Sequence, residues 1–180
     1  MSGVIDAVRG RRSWSKVTDE APSEEEVLEI VSAAGRIADH SNLKPWRIVE
    51  IRGEDRKRLG KAIAKADGDK KGMSTKPMRA PLLLAVVGNY RSSKLPEWEQ
   101  EAVASGVAHM LSLLLDDAGW GVFWRTGSYT RSKAVAKAHG LKKHEKLLGW
   151  LYVGGKPEAK RDGKRKIIDA REFVTRMPKR

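Results

Sequence analysis

The sequence predicts one domain that combines helices with strands, followed by a basic C-terminal arm. Its 180 residues match the size of a single domain, and 40% of them are hydrophobic, enough for a substantial core. Apolar residues recur at helical spacing in several stretches, whereas residues 81–87 form a continuous apolar run typical of a strand covered on both faces. No internal repeat or second candidate core is found. We therefore expect a domain over residues 1–155 and an arm over residues 156–180.

Two helices are predicted in the first part of the chain. Three spaced apolar residues near the N-terminus indicate a short helix that ends at Gly10. Residues 23–26 then form a capping box, in which the Ser23 hydroxyl and the Glu26 carboxylate satisfy free backbone amides at a helix start. The second helix places its apolar residues at the i, i+3, i+4, i+7 spacing of one buried stripe. These residues are Val4, Ile5 and Val8 for the first helix, and Val27, Ile30, Val31 and Ala34 for the second.

The middle of the chain is predicted to contain two strands separated by a helix. Pro45 disfavours helical backbone at the preceding residue, so the polar loop 39–46 leads into a strand over residues 46–51. A helix follows over residues 55–66, with Leu59 and Ile63 facing inward. Residues 67–80 have little apolar pattern and are expected to form a mobile surface loop before the apolar strand 81–87.

The longest predicted helix covers residues 97–118, beginning after Pro96 and ending at Gly119. It carries a broad apolar face, and its small residues between 102 and 108 permit the close approach of another helix. A strand over residues 120–124, a short helix over 132–139 and a strand over 147–153 complete the domain.

Composition narrows the classes of function. The chain has no cysteine, which excludes disulfides and cysteine-ligated metals and fits a reducing compartment. It lacks a signal-peptide pattern, and no apolar run approaches the roughly 20 residues that span a bilayer, so we expect a soluble, cytoplasmic protein without membrane contact. The net charge of +13 favours polyanions or phosphate-bearing small molecules as partners, or simply solubility. The positive charge is densest from Lys156 to Arg180, where ten basic residues stand beside four acidic ones.

Two clusters of guanidinium and hydroxyl groups are the candidate binding elements. The first is Arg-Arg-Ser-Trp-Ser at residues 11–15, and the second is Arg-Thr-Gly-Ser at residues 125–128, directly after a predicted strand. A guanidinium group matches the oxygens of phosphate, and the hydroxyls of Ser13 and Ser15 add neutral donors. The first cluster therefore suits a terminal phosphate, on a nucleotide-like cofactor or on a nucleic-acid backbone. The alternative is a solvated basic turn.

The two clusters and the loop between them resemble the flavin-dependent nitroreductase family. In that family an Arg-Arg-Ser motif precedes one helix and a loop of the type Ser-x-Asn-x-Gln-Pro-Trp, matched here by residues 11–13 and 41–46. Residues 98–101, 121–126 and 151–154 resemble the compact bacterial branch of minimal NAD(P)H nitroreductases. The resemblance extends to about residue 155. The chain departs from the common pattern at His40, often serine, at Lys44, often glutamine, and in its basic tail from Lys156 to Lys166.

The resemblance implies an α+β fold, with a mostly antiparallel central sheet wrapped by helices. It also implies an intertwined homodimer that holds FMN in two interface clefts, with the basic arm packed on the partner subunit. The implied FMN contacts are Arg11, Arg12, Ser13, Trp14, Ser15, Arg36, His40, Trp124, Arg125 and Thr126. A stretch associated with the nicotinamide nucleotide aligns with Leu114, Leu115, Asp116, Asp117, Ala118 and Gly119, whose apolar members fit a core equally well. Lys164 or Arg165 is a further candidate phosphate contact.

The activity implied by the resemblance is an FMN-dependent NAD(P)H oxidoreductase. NADPH or NADH delivers a hydride, and a nitroaromatic, quinone or related small-molecule acceptor then occupies the same cleft in a ping-pong cycle. Flavin carries this chemistry, which agrees with a sequence that has no Ser/His/Asp set, no metal-ligand spacing and no G-x-G-x-x-G. His40 is the candidate proton donor, or equally a hydrogen-bonding element of its loop. His109 is expected in the core or an interface, and His139 and His144 on the surface.

Two alternative functions stay open. A flavin-binding relative without turnover, acting as a sensor or sequestering FMN, would have the same sequence features. A basic nucleic-acid-binding module would explain the charge. The scattered basic residues and the absence of helix-turn-helix, RNA-recognition and zinc patterns make nucleic acid the less favoured partner.

Overall fold

A four-stranded antiparallel sheet forms the centre of the molecule in the computed structural model, which describes residues 3–158 and 168–178. The strands are β1 (Trp46–Ile51), β2 (Leu82–Asn89), β3 (Trp120–Arg125) and β4 (Glu145–Gly155), in the spatial order β1-β2-β4-β3. The described residues also form five α-helices: α1 (Val4–Gly10), α2 (Glu24–Ala34), α3 (Gly53–Ala66), α4 (Glu97–Asp117) and α5 (Lys133–Ala138). The α+β fold with an antiparallel sheet is confirmed.

The apolar run at the start of β2 explains why this strand is central. Every residue from Leu82 to Gly88 is buried, because β1 and β4 pair with its two edges and helices cover both faces. Side chains alternate between the faces of a strand. Leu82, Leu84 and Val86 pack in the core cluster beneath α2 and α4, whereas Leu83, Ala85 and Val87 pack in the cluster beneath α3 and α5. The prediction of a strand covered on both faces is confirmed.

The capping box at the start of α2 is present as predicted. The backbone N–H of Glu26 donates to Ser23 Oγ at 3.2 Å, and the backbone N–H of Ser23 donates to Glu26 Oε2 at 2.8 Å. Val27 and Ala34 are buried against α4, with the other two members of the stripe partly buried beside them. The local sequence signal and the tertiary packing agree for this helix.

The long helix α4 is the main support of the sheet. Its inward face includes Val107, Leu111 and Leu115, none of which exposes any surface. Small residues allow close packing, since a Cβ atom at Gly106 would lie 3.0 Å from Ile37 Cδ1. The helix ends at Asp117, one residue earlier than predicted, and Gly119 follows with a φ of 94°. The helix therefore fixes the position of the segment that enters β3.

One segment differs from the sequence-based expectation. Residues 67–80, predicted as a mobile loop, contain the 3-10 turn Lys76–Arg79, whose Pro77 is buried. The backbone N–H of Ser74 donates to Gly60 O of α3 at 3.0 Å.

His139 was expected on the surface but is only 8% exposed. Trp150 Nε1 donates to His139 Nε2 at 2.9 Å, so the proton on Nδ1 faces Val135 O at 2.8 Å. Burial lowers the pKa of His139, in keeping with this neutral form.

The described part of the tail, residues 168–178, contains one short 3-10 turn, Ala170–Glu172. Four of its apolar side chains are at least 73% exposed, namely Ile168, Phe173, Val174 and Met177. Lys164 and Arg165 lie outside the described residues. Among the residues that are described, no helix is long and apolar enough to cross a membrane.

Candidate functional site

The outer edge of β3 brings the two sequence clusters to one side of the molecule. The backbone N–H of Trp14 donates to Val122 O at 2.8 Å, so the segment 11–15 runs along the edge strand. Further along, Thr18 N–H donates to Gly155 O at 2.9 Å, which continues this pairing onto the end of β4. Val122 lies only a few residues before Arg125, the first residue of the second cluster. The fold therefore places both clusters on one edge of the sheet.

Trp14 anchors the first cluster to the body of the protein. Its Nε1 donates to Asp116 Oδ1 at 3.1 Å, at the C-terminal end of α4. Lys156 Nζ lies 3.4 Å from the same oxygen and donates to the Asp116 carbonyl at 2.7 Å. The indole thus has a structural role, which fixes the backbone that carries Arg11, Arg12 and the two serines.

A cleft of about 330 Å³ opens where β3 ends, on the face of the sheet beneath α3 and α5. Three cationic and five aromatic residues dominate its lining. The lining residues are Ile63, Lys76, Arg79, Phe123, Trp124, Arg125, Thr126, Tyr129, Trp150 and Tyr152. A cleft of this size with flat apolar walls and a few charged groups is typical of a site for a small planar ligand.

Arg125 is held in the cleft by two aromatic rings. Its Cζ lies 4.6 Å from the ring centroid of Phe123 and 5.4 Å from that of Tyr152. Stacking of a guanidinium on aromatic faces fixes its plane while leaving its edge donors available. Burial raises the pKa of Tyr152, so this neighbouring phenol stays neutral.

Lys76 supplies a second cation, and sequence reasoning missed it. Its Nζ lies 4.2 Å from the ring centroid of Tyr129, contacts the hydroxyl of that residue, and lies 3.7 Å from Asp67 Oδ2. The hydrogen bond with Tyr129 is the main reason that the pKa of Lys76 is raised, so the ammonium stays charged. The signal that could have revealed this site is the density of cations in Lys-Pro-Met-Arg, immediately before the buried strand β2.

Trp124 and Arg125 point to opposite faces of the sheet, as neighbours in a strand do. Trp124 packs toward α4, with its ring centroid 5.0 Å from that of His109 in an edge-to-face arrangement. Its Nε1 is buried and has no hydrogen-bond partner among the described residues. Gly149, with a φ of 148°, passes close beside it, and a Cβ atom there would lie 2.6 Å from Nε1. The indole of Trp124 therefore lies on the α4 side of the sheet, whereas Arg125 and Thr126 provide polar groups of the cleft.

His40 and Arg36 lie away from this cleft within one chain. His40 Nδ1 is 3.5 Å from Glu99 Oε2 near the start of α4, whereas Trp124 contacts His109, ten residues later. Ten helical residues span about 15 Å. Arg36 is exposed just beyond the end of α2. Within one chain, these two predicted FMN contacts therefore lie apart from those predicted at residues 11–15 and 124–126.

The loop that carries His40 has an unusual backbone. Ser41, Asn42 and Lys44 have φ values of 61°, 52° and 48°, a left-handed conformation that costs non-glycine residues about 1 kcal/mol or more each. Asp39 holds the loop in place, since its Oδ2 accepts from Lys44 N–H at 2.7 Å. Strain of this kind is concentrated at binding and catalytic sites, which favours a functional role for the loop.

The stretch 114–119, which aligns with a nicotinamide site, contains both buried and exposed residues. Leu115 is fully buried in the core, and Leu114 packs partly buried beside it, so the expectation of nucleotide contact is wrong for Leu115. Asp116 is engaged with Trp14 and Lys156. The remaining three residues, Asp117, Ala118 and Gly119, are exposed. Contact with the nicotinamide nucleotide stays a prediction for them. Within residues 3–158 and 168–178, no cluster of three or more His, Asp or Glu could hold a metal ion.

Comparisons with known proteins point to one family. The family model described as "Nitroreductase family" matches residues 8–155. The chain is 33% identical over 179 residues to the Escherichia coli K12 protein named "Putative NAD(P)H nitroreductase YdjA", covering 95% of this chain and 97% of that protein.

Two solved structures share the fold. A nitroreductase-like family protein from Bacillus cereus superposes with a TM-score of 0.83 at 21% identity, covering 98% of this chain and 97% of that one. A mutant of the FMN and NADPH-dependent nitroreductase NfnB from Sphigopyxis sp. strain HMH gives a TM-score of 0.78 at 17% identity, covering 98% and 99%. The match to the family model spans most of the domain and includes both clusters, residues 11–15 and 125–128. This chain therefore belongs to the nitroreductase family.

Proposed function

We propose that this protein is an FMN-dependent NAD(P)H oxidoreductase that reduces nitroaromatic, quinone or related small-molecule acceptors. The observation that carries the proposal is the cleft at the end of β3, where Lys76, Arg79 and Arg125 face a set of aromatic rings. Membership of the nitroreductase family and the names of its relatives support the same cofactor and reductant. FMN supplies the hydride chemistry once it is bound, and the residues of this chain supply binding, orientation and charge.

The residues of the cleft fit a flavin. Flat aromatic walls suit its planar ring, and the guanidinium of Arg125, held between Phe123 and Tyr152, presents donors to electron-rich oxygens. Lys76 keeps its charge because of its contacts with Tyr129 and Asp67. These cations favour binding of a ring that becomes more negative when it is reduced.

The segment 11–15 supplies the second half of the cofactor site. The bonds from Trp14 to Val122 and Asp116 fix this segment along β3, on the same edge as Arg125 and Thr126. Arg11, Arg12, Ser13 and Ser15 then hold the phosphate through charged and neutral hydrogen bonds. Each charge-assisted bond contributes about 1.5–3 kcal/mol. The exposed residues 117–119 provide the accessible part of the nicotinamide site.

We infer that the active unit is a homodimer. Three apolar residues of α1 are more than half exposed, Val4, Ile5 and Val8, and the described tail exposes four more. Burial of apolar surface at about 25 cal/mol per Å² makes association of such faces favourable. A partner subunit would also bring its own His40 loop and Arg36 to the cleft, which one chain cannot do. The basic arm 156–180 packs on the partner in this arrangement.

The cellular location follows from the same proposal. A chain without cysteine suits a reducing compartment, and we place the protein in the cytoplasm.

Titration of the apo-protein with FMN tests the cofactor site. We expect Arg125→Gln to weaken FMN binding by roughly tenfold to a hundredfold without changing the melting temperature of the apo-protein. Arg91→Gln, which removes one exposed guanidinium from the loop before α4, is the matched control and should bind FMN like the wild type. Equal affinities for all three proteins would remove Arg125 from the site, and no FMN binding by the wild type would refute the proposed function.

A further inference from the structure

A second groove lies on the outer surface of α3 and α5, separate from the cleft at the end of β3. Its volume is about 690 Å³, within the range of sites for small ligands. The lining residues are Val49, Arg58, Lys61, Ala62, Lys65, Lys70, Ala134, Lys137, Ala138, His139 and Gly140. None of them lines the β3 cleft.

The sequence places the cations of this groove on matching helix faces. Arg58, Lys61 and Lys65 follow the i, i+3, i+7 spacing of one face of α3. Lys137 projects from α5, which packs against α3, and Lys70 comes from the turn after α3. The lining therefore contains five cations and no carboxylate. Small and apolar side chains, mainly alanines, form the floor between them.

Most of this charge is not neutralised by neighbouring acids. Arg58 lies 3.3 Å from Asp55 Oδ1, whereas no carboxylate forms an ion pair with the four lysines in the described parts of the chain. Asp69, the acid next to Lys70 in sequence, accepts instead from the backbone N–H groups of Lys71 and Gly72. A concave surface lined by one sign of charge focuses the electrostatic potential and attracts counter-ions.

Helix dipoles account for only part of the cluster. Lys65 and Lys137 lie in the last turns of α3 and α5, where a cation stabilises the helix end. Arg58, Lys61 and Lys70 lie outside these turns and have no such role. His139 does not act as a ligand, because Trp150 and Val135 O occupy its two ring nitrogens.

We propose that this groove binds a small ligand that carries several phosphates, such as a nucleoside polyphosphate. The ammonium and guanidinium groups of the rim neutralise the phosphates, and the apolar floor of Val49, Ala62 and Ala138 accepts the less polar part of the ligand. The groove shares no lining residue with the β3 cleft, so this ligand does not compete with FMN for contacts. A compact group of cations beside a small apolar surface favours one small ligand over an extended nucleic-acid strand.

Calorimetric titration of the full-length, FMN-saturated protein tests the proposal. The probes are inorganic tripolyphosphate and adenosine triphosphate, and saturating FMN keeps them from the flavin phosphate site. We expect saturable binding, about tenfold weaker in the variant Lys61→Gln/Lys70→Gln. The matched control, Lys94→Gln/Lys143→Gln, removes the same charge from exposed positions that do not line the groove and should bind like the wild type.

The remaining outcomes separate the alternatives. Tighter binding of adenosine triphosphate than of tripolyphosphate would support the role of the apolar floor. An equal loss in the groove variant and the control would show a general charge effect and overturn the proposal, as would the absence of saturable binding. A single-stranded oligonucleotide that binds far more tightly than either probe, and loses affinity only in the groove variant, would replace the small ligand with nucleic acid. The FMN affinity, measured in parallel, should be the same in all three proteins.

Discussion

Substitution of Glu145 is expected to remove a large, pH-dependent part of the stability. Glu145 begins β4 with a side chain only 2% exposed, and it accepts from Arg47 Nε at 2.7 Å and Nη2 at 2.8 Å. The backbone N–H of Lys142 donates to the same carboxylate at 2.9 Å. Chiefly through the hydrogen bonds from Arg47, these contacts lower the pKa of Glu145 from 4.5 to about 2. The pair joins β1 to β4 across β2, so its loss affects the whole sheet.

The size of this stabilisation follows from the difference between the pKa values of Glu145 in the unfolded and folded states. A pKa lowered from 4.5 to about 2 stabilises the folded state by about 3 kcal/mol at neutral pH. Because the folded pKa is the lower one, the stabilisation is complete above the unfolded pKa and is lost as the pH falls through the folded value. We therefore expect Glu145→Gln to lower the free energy of unfolding by about 3 kcal/mol at pH 7 and by less than half of that at about pH 3.

Urea denaturation of the wild type and the variant at several pH values measures this difference. The control is Glu97→Gln, which removes an ion pair with Lys146 of the same 2.7 Å length, but with side chains 63% and 48% exposed. Exposed pairs contribute about 0–1 kcal/mol, so the control should change little at any pH. A difference for Glu145→Gln that stays constant between pH 7 and pH 3 would refute the reasoning.

Three further predictions concern the proposed site. Arg11→Ala should weaken FMN binding by roughly tenfold to a hundredfold in a titration of apo-protein, while its melting temperature stays unchanged. His40→Ala should leave assembly intact and slow flavin reoxidation by a quinone in stopped-flow experiments by about 10²–10⁴-fold if His40 donates a proton; a loss below about tenfold would instead mean an orienting role. Light scattering should give the mass of a homodimer for the FMN-loaded protein, and removal of residues 168–180 should shift it toward the monomer. A stable flavin-loaded monomer of the full chain would contradict the shared cleft.

Local signals predicted most of the secondary structure because the responsible interactions are themselves local. The capping box of Ser23 and Glu26 joins residues three apart, and the apolar run that begins at Leu82 needs only cover on both faces. His139 shows where this reasoning fails. It looked like a surface residue beside a helix end, but Trp150 of β4 packs over it once α5 lies on the sheet. Its burial depends on strand pairing that the local sequence does not encode.

The candidate site was predicted in part for the same reason. The strand 120–124 could be predicted from its sequence, so the position of Arg125 and Thr126 at the end of that strand could be predicted as well. Lys76 and Tyr129 are 53 residues apart and meet only because the turn after α3 and the loop after β3 converge on one face of the sheet. The separation of His40 from Trp124 likewise depends on where each contacts α4. Tertiary geometry, rather than residue type, sets these relations.

Reduction of the bound flavin by a nicotinamide nucleotide tests the central claim most directly. The purified chain, loaded with FMN and freed of excess cofactor, is mixed with NADPH or NADH without oxygen while the visible flavin spectrum is recorded. We predict that the flavin band bleaches and returns when a quinone is added, as a ping-pong oxidoreductase requires. A protein that holds FMN but is not bleached by either nucleotide would be a flavin sensor or carrier. A protein that retains no flavin would contradict the account altogether.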